Sequence, residues 1–240
     1  EPGLSMAWFH RGLSLAEIGR IQEALKDLDH TLSIDPSHAR AWYQKGLLLH
    51  RQGRREEALA CLEKSTRFDP AGRDAWFEKG ALLLDLERFG EGEKAFRRAL
   101  ELDPLHGEAW YRLGVALLRM DRTEEAVTAL GESTRIAPER AGAWFDLGSA
   151  LLSLGRNGEA AEALARSVSL VVKNGAAQLR LGLAYSALGQ NEEAERAFCR
   201  ASELDPGLAE AWSRRGQALA ELGRLEDAAT ILSRSLDLDP

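Results

Sequence analysis

The chain has 240 residues, 45% of them hydrophobic and 29% charged, with a formal net charge of −7. This size and apolar fraction allow a substantial core, and the interspersed charges argue against a polyanion-binding protein, which would concentrate Lys and Arg. No apolar run approaches the length of a membrane span, and the first residues lack a signal pattern. We therefore expect a soluble protein, cytoplasmic by default, without nucleic-acid or membrane partners.

A period of 34 residues organises the sequence. The segment "AWYQKG" at 41–46 returns as "AWFEKG" at 75–80, "AWYRLG" at 109–114 and "AWFDLG" at 143–148. Gly follows each Trp position by four residues without exception, and Pro closes each unit except at Val172. All six tryptophans stand at this period, and Gln178 occupies the one Trp position that has another residue. The repeat therefore covers nearly the whole chain.

Each unit contains two predicted helices. In the second unit, helical spacing of apolar residues predicts a helix over 39–52 that Gly53 ends, and a second over 55–68 that ends at "DP". The small residues Gly46 and Ala58 predict a close approach of two antiparallel helices, with Trp42 filling the space around them. One pair cannot cover its apolar faces, so neighbouring pairs must stack.

Aligned on the 34-residue period, the repeats resemble the tetratricopeptide repeat. The residues on its pattern in the second unit are Trp42, Gly46, Ala58, Leu62, Ser65 and Pro70. The resemblance implies an all-α right-handed superhelix of antiparallel helix pairs, in which the first helix of each pair lines a concave groove. It divides the chain into the end of a preceding repeat at 1–4 and seven repeats at 5–38, 39–72, 73–106, 107–140, 141–174, 175–208 and 209–240. The sixth repeat begins degenerately, with Gln178 in the place of Trp.

The junction at 169–178 and the two ends depart from a uniform array. Val172 and Gln178 replace Pro and Trp, which predicts loss of a helix stop and of a large packing residue, and leaves open either tolerated degeneration or a bend. The chain begins and ends in phase with the repeat, so it looks like part of a longer protein. A seventh repeat without a capping helix predicts exposed apolar surface near Leu225, Ala229, Leu232 and Leu236.

The resemblance implies that groove residues stand at fixed offsets from the Trp position. Aromatic and aliphatic rows in a concave surface suit a peptide with apolar anchors. Charges of both signs punctuate the rows, so a highly charged ligand is not indicated. The candidate groove residues are Phe9, Tyr43, Leu47, Phe77, Tyr111, Arg112, Val115, Leu118, Phe145 and Arg180.

Other chemistries find little support in the sequence. The columns lack the Lys and Asn of relatives that clamp chaperone tails, and the Asn ladder of relatives in sugar transferases. The five His and two Cys show no metal-ligand spacing, and no phosphate loop or nucleophile elbow is present. The paired acids Glu56-Glu57, Glu124-Glu125 and Glu192-Glu193 recur at the same place early in a second helix, where they suit the helix dipole. We expect no enzyme activity, cofactor, metal or disulfide.

Three functional hypotheses follow. The first is a protein- or peptide-binding scaffold that docks a partner segment in the groove. The second is head-to-tail self-association through uncapped ends. The third is an accessory region of a larger enzyme or signalling protein.

Overall fold

The computed structural model describes residues 2–238, and of Pro2 only the backbone. Within that range the chain forms fourteen α-helices and no strand, which confirms the all-α prediction and matches seven helix pairs. Glu1 of the segment 1–4 and the last position of the Pro column, Pro240, lie outside the described residues. The helices are α1 Pro2–Glu17, α2 Ile21–Ile34, α3 Ala39–Arg51, α4 Arg55–Phe68, α5 Arg73–Asp85, α6 Phe89–Leu102, α7 Gly107–Arg119, α8 Thr123–Ile136, α9 Ala141–Ser153, α10 Asn157–Leu170, α11 Gly175–Ala187, α12 Asn191–Leu204, α13 Ala209–Glu221 and α14 Leu225–Leu238.

The helices belong to two compact units, residues up to Met120 and residues from Asp121 onward. In unit 1, the pairs α1–α2, α3–α4 and α5–α6 stack in tandem, and α7 packs on α6. In unit 2, α8 packs on α9, and the pairs α9–α10, α11–α12 and α13–α14 stack in the same way. Residues 2–4, expected before the first repeat, continue α1 toward its N-terminus.

A glycine in each first helix lets the two helices of a pair approach closely, as predicted. A Cβ added at Gly46 would lie 3.0 Å from Cγ of Leu62, and one at Gly80 would lie 2.7 Å from Cε1 of Phe96. The large apolar residue of the second helix therefore fills the space, rather than the tryptophan. Trp42 stays half-buried at the edge, where its indole N–H donates to the carbonyl of Pro36 at 2.8 Å.

The turn within a helix pair uses a residue with positive φ. Gly53 has φ 76° just past the end of α3, which confirms its predicted role as a helix stop. Its N–H bonds the carbonyl of His50 at 2.8 Å, and the next N–H bonds that of Leu49 at 3.0 Å. Glu87 and Asp121 adopt φ 58° at the equivalent positions without being glycine.

The junction at 169–178 keeps the register of the others. Helix α10 ends at Leu170, 34 residues after α8 ends at Ile136, so the expected loss of the helix stop does not occur. The Val171 N–H bonds the carbonyl of Ser167 at 3.0 Å, as the C-cap N–H groups do elsewhere. The Asn174 side chain then accepts from the Ala177 N–H at 3.0 Å and starts α11. The helix boundary is therefore kept although the proline is absent.

The final helix exposes part of the apolar face predicted for it. Leu225 and Leu236 are 67% and 65% exposed, and Ala229 is exposed as well. Leu232 differs from the expectation, because it is half-buried against Gly216. The equivalent of Leu236 in the first repeat, Leu32, is only 7% exposed, since α3 packs over α2 there.

Candidate functional site

The first helices of successive pairs form the inner layer of each unit. In unit 1, α1 contacts α3, α3 contacts α5 and α5 contacts α7, and in unit 2 α9 contacts α11. The second helices pack mainly against first helices. Side chains on the free face of the first helices therefore share one inner surface within each unit.

Phe9 does not contribute to the accessible inner surface, contrary to the prediction for this residue. Its ring is only 1% exposed. The imidazole of His38 covers it with a centroid separation of 4.8 Å, and the guanidinium of Arg40 lies 5.7 Å from the ring centroid. A ligand could reach Phe9 only if these side chains moved.

Tyr43 in α3 is half-buried and faces a cavity of about 320 Å³ within unit 1. Burial, followed by the nearby carboxylates of Glu78 and Asp74, raises the pKa of the Tyr43 hydroxyl to about 12. The hydroxyl therefore remains a hydrogen-bond donor across the physiological range. The cavity is lined by Ala39, Arg40, Tyr43, Gln44, Ser65, Asp69, Gly72, Arg73, Asp74 and Ala75.

The aromatic row continues on the next two first helices. Phe77 in α5 is half-buried, and the imidazole of His106 stacks on it with a centroid separation of 4.8 Å and an interplanar angle of 25°. Tyr111 in α7 is half-buried too. The aliphatic candidates Leu47, Val115 and Leu118 are half-buried in α3 and α7, so unit 1 offers an apolar row that a ligand can touch.

Charged groups accompany this row. The Arg112 guanidinium donates to Glu108 on the same helix at 2.8 Å, and His50 lies 3.2 Å from Asp85 of the neighbouring first helix. Burial raises the pKa of the Glu78 carboxyl, which His50 and Arg112 partly offset and Asp74 reinforces. The charges on this surface are thus largely balanced, in keeping with the sequence.

Unit 2 holds the remaining two candidates. Phe145 in α9 is half-buried, and Arg180 in α11 is exposed. Leu179, which follows Phe145 in the aromatic column, is buried. The inner surface of unit 2 therefore has fewer accessible aromatic side chains than that of unit 1.

Catalytic and metal-binding features are not prominent. Among residues 2–238, no group of three or more His, Cys, Asp or Glu side chains could hold a metal ion. Both cysteines are free thiols, and burial raises the pKa of each. Over the same range, the structure has no helix with the length and apolarity needed to cross a membrane.

Of the ten residues that line the cavity, only Tyr43 was predicted as a groove residue, and Gly72 and Ser65 are among the nine that were not. Gly72 is the N-cap of α5 and lies at a repeat boundary, outside the columns counted from Trp. A signal was available: the N-cap column reads His38, Gly72, His106, Arg140, Asn174 and Leu208, and Gly72 is its only member without a side chain.

Comparison with known proteins identifies the family. The family model for the tetratricopeptide repeat matches residues 9–73, 43–91, 77–138, 116–174 and 179–240. The chain belongs to the tetratricopeptide repeat (TPR) family. Proteins with this fold are in general non-catalytic interaction scaffolds.

Solved structures share the TPR fold at low sequence identity. YrrB, a TPR protein with an unusual peptide-binding site, has a TM-score of 0.71 and 21% identity over 77% of this chain and 95% of its own. PilF of Pseudomonas aeruginosa has a TM-score of 0.69 and 18% identity, covering 90% and 98%. MamA has 0.64 and 24%, covering 67% and 94%. None of the curated proteins matches the sequence.

Proposed function

We propose that this TPR array binds an extended or helical segment of a partner protein along the inner surface of unit 1. The observation that carries the proposal is the row of half-buried aromatic side chains Tyr43, Phe77 and Tyr111 on three consecutive first helices. Half-buried aromatics present a large apolar area and lose little side-chain entropy on binding, so they suit peptide anchors. The peptide-binding relative YrrB shares the fold and thereby supports a scaffold role.

The aliphatic residues Leu47, Val115 and Leu118 extend the proposed contact along α3 and α7. Arg112, which is paired with Glu108, lies at its edge and would favour a carboxylate or carbonyl group on the peptide. Phe145 and Arg180 would offer further contacts in unit 2. Phe9 has no part in this proposal, because its ring is only 1% exposed, whereas Phe77 beside His106 is half-buried.

The test begins with selection of peptides from a displayed random library against the 240-residue chain. A selected peptide is then titrated by calorimetry against the wild type, the double variant Tyr43→Ala/Tyr111→Ala and the control Phe68→Ala. Phe68 is an exposed aromatic residue at the end of the second helix α4, so its loss should leave affinity unchanged. Loss of two aromatic anchors should weaken binding by about 100-fold or more. Equal affinity of all three proteins would contradict the proposal.

Self-association is a second candidate, and the exposed face of α14 favours it. Leu236 is 65% exposed, whereas its equivalents Leu32 and Leu100 are buried under the following helix pair. Leu225 is 67% exposed and adds to this apolar surface, although no equivalent second helix buries that position. Light scattering over a range of chain concentrations tests this candidate. Leu236→Lys should reduce any concentration-dependent gain in mass, and a mass that stays monomeric at all concentrations would contradict it. Leu232→Lys is a poor probe, because Leu232 packs on Gly216.

A further inference from the structure

In unit 1, the N-cap residue of the next first helix stands beside the aromatic side chain of Phe9, Tyr43 and Phe77. At Phe9 and Phe77 this N-cap residue is a histidine, and its ring covers the aromatic ring. His38 lies over Phe9 and His106 lies over Phe77, each with a centroid separation of 4.8 Å. Both histidines stand at the N-cap of the following first helix. Each accepts a hydrogen bond there through Nδ1, His38 from the Ala41 N–H and His106 from the Ala109 N–H, at 3.2 Å.

The junction between these two has the same backbone and no ring. Gly72 occupies the N-cap of α5 with φ −71° and ψ 82°, against −67° and 86° for His38 and −78° and 84° for His106. Because Gly72 has no side chain, the Tyr43 ring is left facing the cavity of about 320 Å³. This volume is at the lower end for ligand sites and suits one side chain of a larger ligand.

The cavity also contains hydrogen-bonding groups without a protein partner. Ser65 is only 2% exposed and lines the cavity, and within residues 2–238 its hydroxyl makes no hydrogen bond. At equivalent positions the hydroxyl is satisfied by the first residue of its own repeat's first helix. Ser167 donates to the carbonyl of Ala141 and Ser235 to that of Ala209, both at 3.0 Å. The Ser65 hydroxyl oxygen is open to the cavity rather than fully buried, so a polar group of a ligand can bond to it there.

The charges around Tyr43 favour a nitrogen donor. Arg73, one of the two cavity cations, is already held by Asp74 and by Asp103 at 2.7 and 2.9 Å. The other, Arg40, extends toward the Phe9 ring. The Asp69 carboxylate lines the cavity and accepts only from the Ala71 N–H among the described residues, which leaves acceptor capacity free.

We propose that the cavity beside Gly72 receives a histidine or arginine side chain of the bound peptide, whose planar nitrogen-bearing group stacks on Tyr43 as His38 stacks on Phe9. The proposal rests on the proposed function, since it assigns one anchor of the same peptide. The incoming group replaces the ring that Gly72 lacks, and its N–H groups reach the acceptors of Asp69 and Ser65. The stacking of His38 on Phe9 and of His106 on Phe77 is thus the model for how the ligand group contacts Tyr43.

The experiment uses blocked amino acids as probes and two substitutions at one position. N-acetyl methylamides of His, Arg, Ala and Asp are titrated into isotope-labelled protein, and NMR follows the signals of Tyr43, Gly72 and Ala75. A Cβ at Gly72 would lie 3.1 Å from Oδ2 of Asp69, so this side chain must shift slightly in both variants. Gly72→His should then fill the cavity, because the equivalent Asp35 and Asp103 coexist with His38 and His106 at the same spacing. Gly72→Ala is the matched control, since it removes the glycine but leaves the Tyr43 ring uncovered.

We expect saturable shifts with the His or Arg compound, much smaller shifts with the Ala and Asp compounds, unchanged binding to Gly72→Ala and binding to Gly72→His at least about tenfold weaker. Shifts that are equal for all four compounds, or that Gly72→His leaves unaltered, would overturn the proposal. A selected peptide that needs Tyr111 but ignores Gly72→His would also overturn it, while the groove function stands. Probe binding without any peptide binding along Tyr111 would support the cavity and contradict the groove function instead.

Discussion

The indole N–H of Trp42 donates to the carbonyl oxygen of Pro36 at 2.8 Å, and this bond joins the recurring tryptophan to the recurring proline of the repeat. The same bond recurs from Trp76 to Pro70, Trp110 to Pro104, Trp144 to Pro138 and Trp212 to Pro206, at 2.9 to 3.1 Å. The proline ends one repeat and its carbonyl anchors the tryptophan of the next. Val172 and Gln178 replace both residues in the same junction, where Gln178 removes the indole donor and Val172 keeps a backbone carbonyl.

The first prediction concerns this bond. Trp76→Phe removes the donor and part of the ring, and should lower the free energy of unfolding by about 1–2 kcal/mol. Pro70→Ala keeps the carbonyl acceptor and should cost less, mainly through greater freedom of the unfolded chain. Urea unfolding of both variants measures the difference. A smaller loss for Trp76→Phe than for Pro70→Ala would show that the bond contributes little.

The second prediction concerns the strained turn at Glu87. A side chain at φ 58° costs about 1 kcal/mol relative to glycine. Glu87→Gly should therefore raise the free energy of unfolding by about 0.5–1 kcal/mol. Glu87→Ala, the matched control, keeps the Cβ and should give no comparable gain. The exposed pair of Glu87 with Arg119 at 4.0 Å adds little that either change would lose. Equal stability of the two variants would contradict the strain.

The third prediction contrasts two helix glycines. Gly80→Ala places a Cβ 2.7 Å from the buried Phe96 ring and should destabilise the protein by about 1–3 kcal/mol. Gly131→Ala in α8 meets no atom within 4 Å and should stabilise it by about 0.5–1 kcal/mol through helix propensity. Thermal and urea unfolding both report the sign. Stabilisation by Gly80→Ala would show that the close helix approach is not required.

The fourth prediction concerns alkaline pH. The pKa of Tyr43 is raised from 10.0 to about 12, so between these values the folded state binds more protons than the unfolded state. The stability of the wild type should therefore fall as pH rises from about 10 to 12. Tyr43→Phe lacks the titrating hydroxyl, so its stability should fall less over the same range. Unfolding curves of the two proteins across that range give the difference. A stability gap between them that does not change with pH would contradict the raised pKa.

Much of the fold followed from the repeat. The positions of Trp42, Gly46 and Gly53 predict the helix pair, its close packing and its turn, because each residue type answers one local requirement. The 169–178 junction was harder to predict, because α10 ends at the position where the other second helices end although Val172 stands in the place of proline. A prediction from the repeat pattern assumes that each residue is required at its position in every repeat. At this junction the second helix ends without the proline.

The candidate site shows the same limit more clearly. Phe9 and Tyr43 occupy one column, yet Phe9 is covered and Tyr43 faces a cavity. The difference comes from the N-cap residue 29 positions later, His38 in one case and Gly72 in the other. Accessibility of a groove residue therefore depends on the neighbouring repeat, and a single column does not contain that information.

The most direct test of the central claim is to map where a selected peptide lies on the chain. NMR with labelled aromatic and methyl groups follows Tyr43, Phe77, Tyr111, Val115 and Leu118 during titration with the peptide. If the peptide binds along the inner surface of unit 1, these signals should shift together with one dissociation constant, while the signals of the exposed aromatic Phe68 on α4 should not shift. Shifts confined to Phe68, to the exposed residues of α14 or to the second helices would contradict the claim.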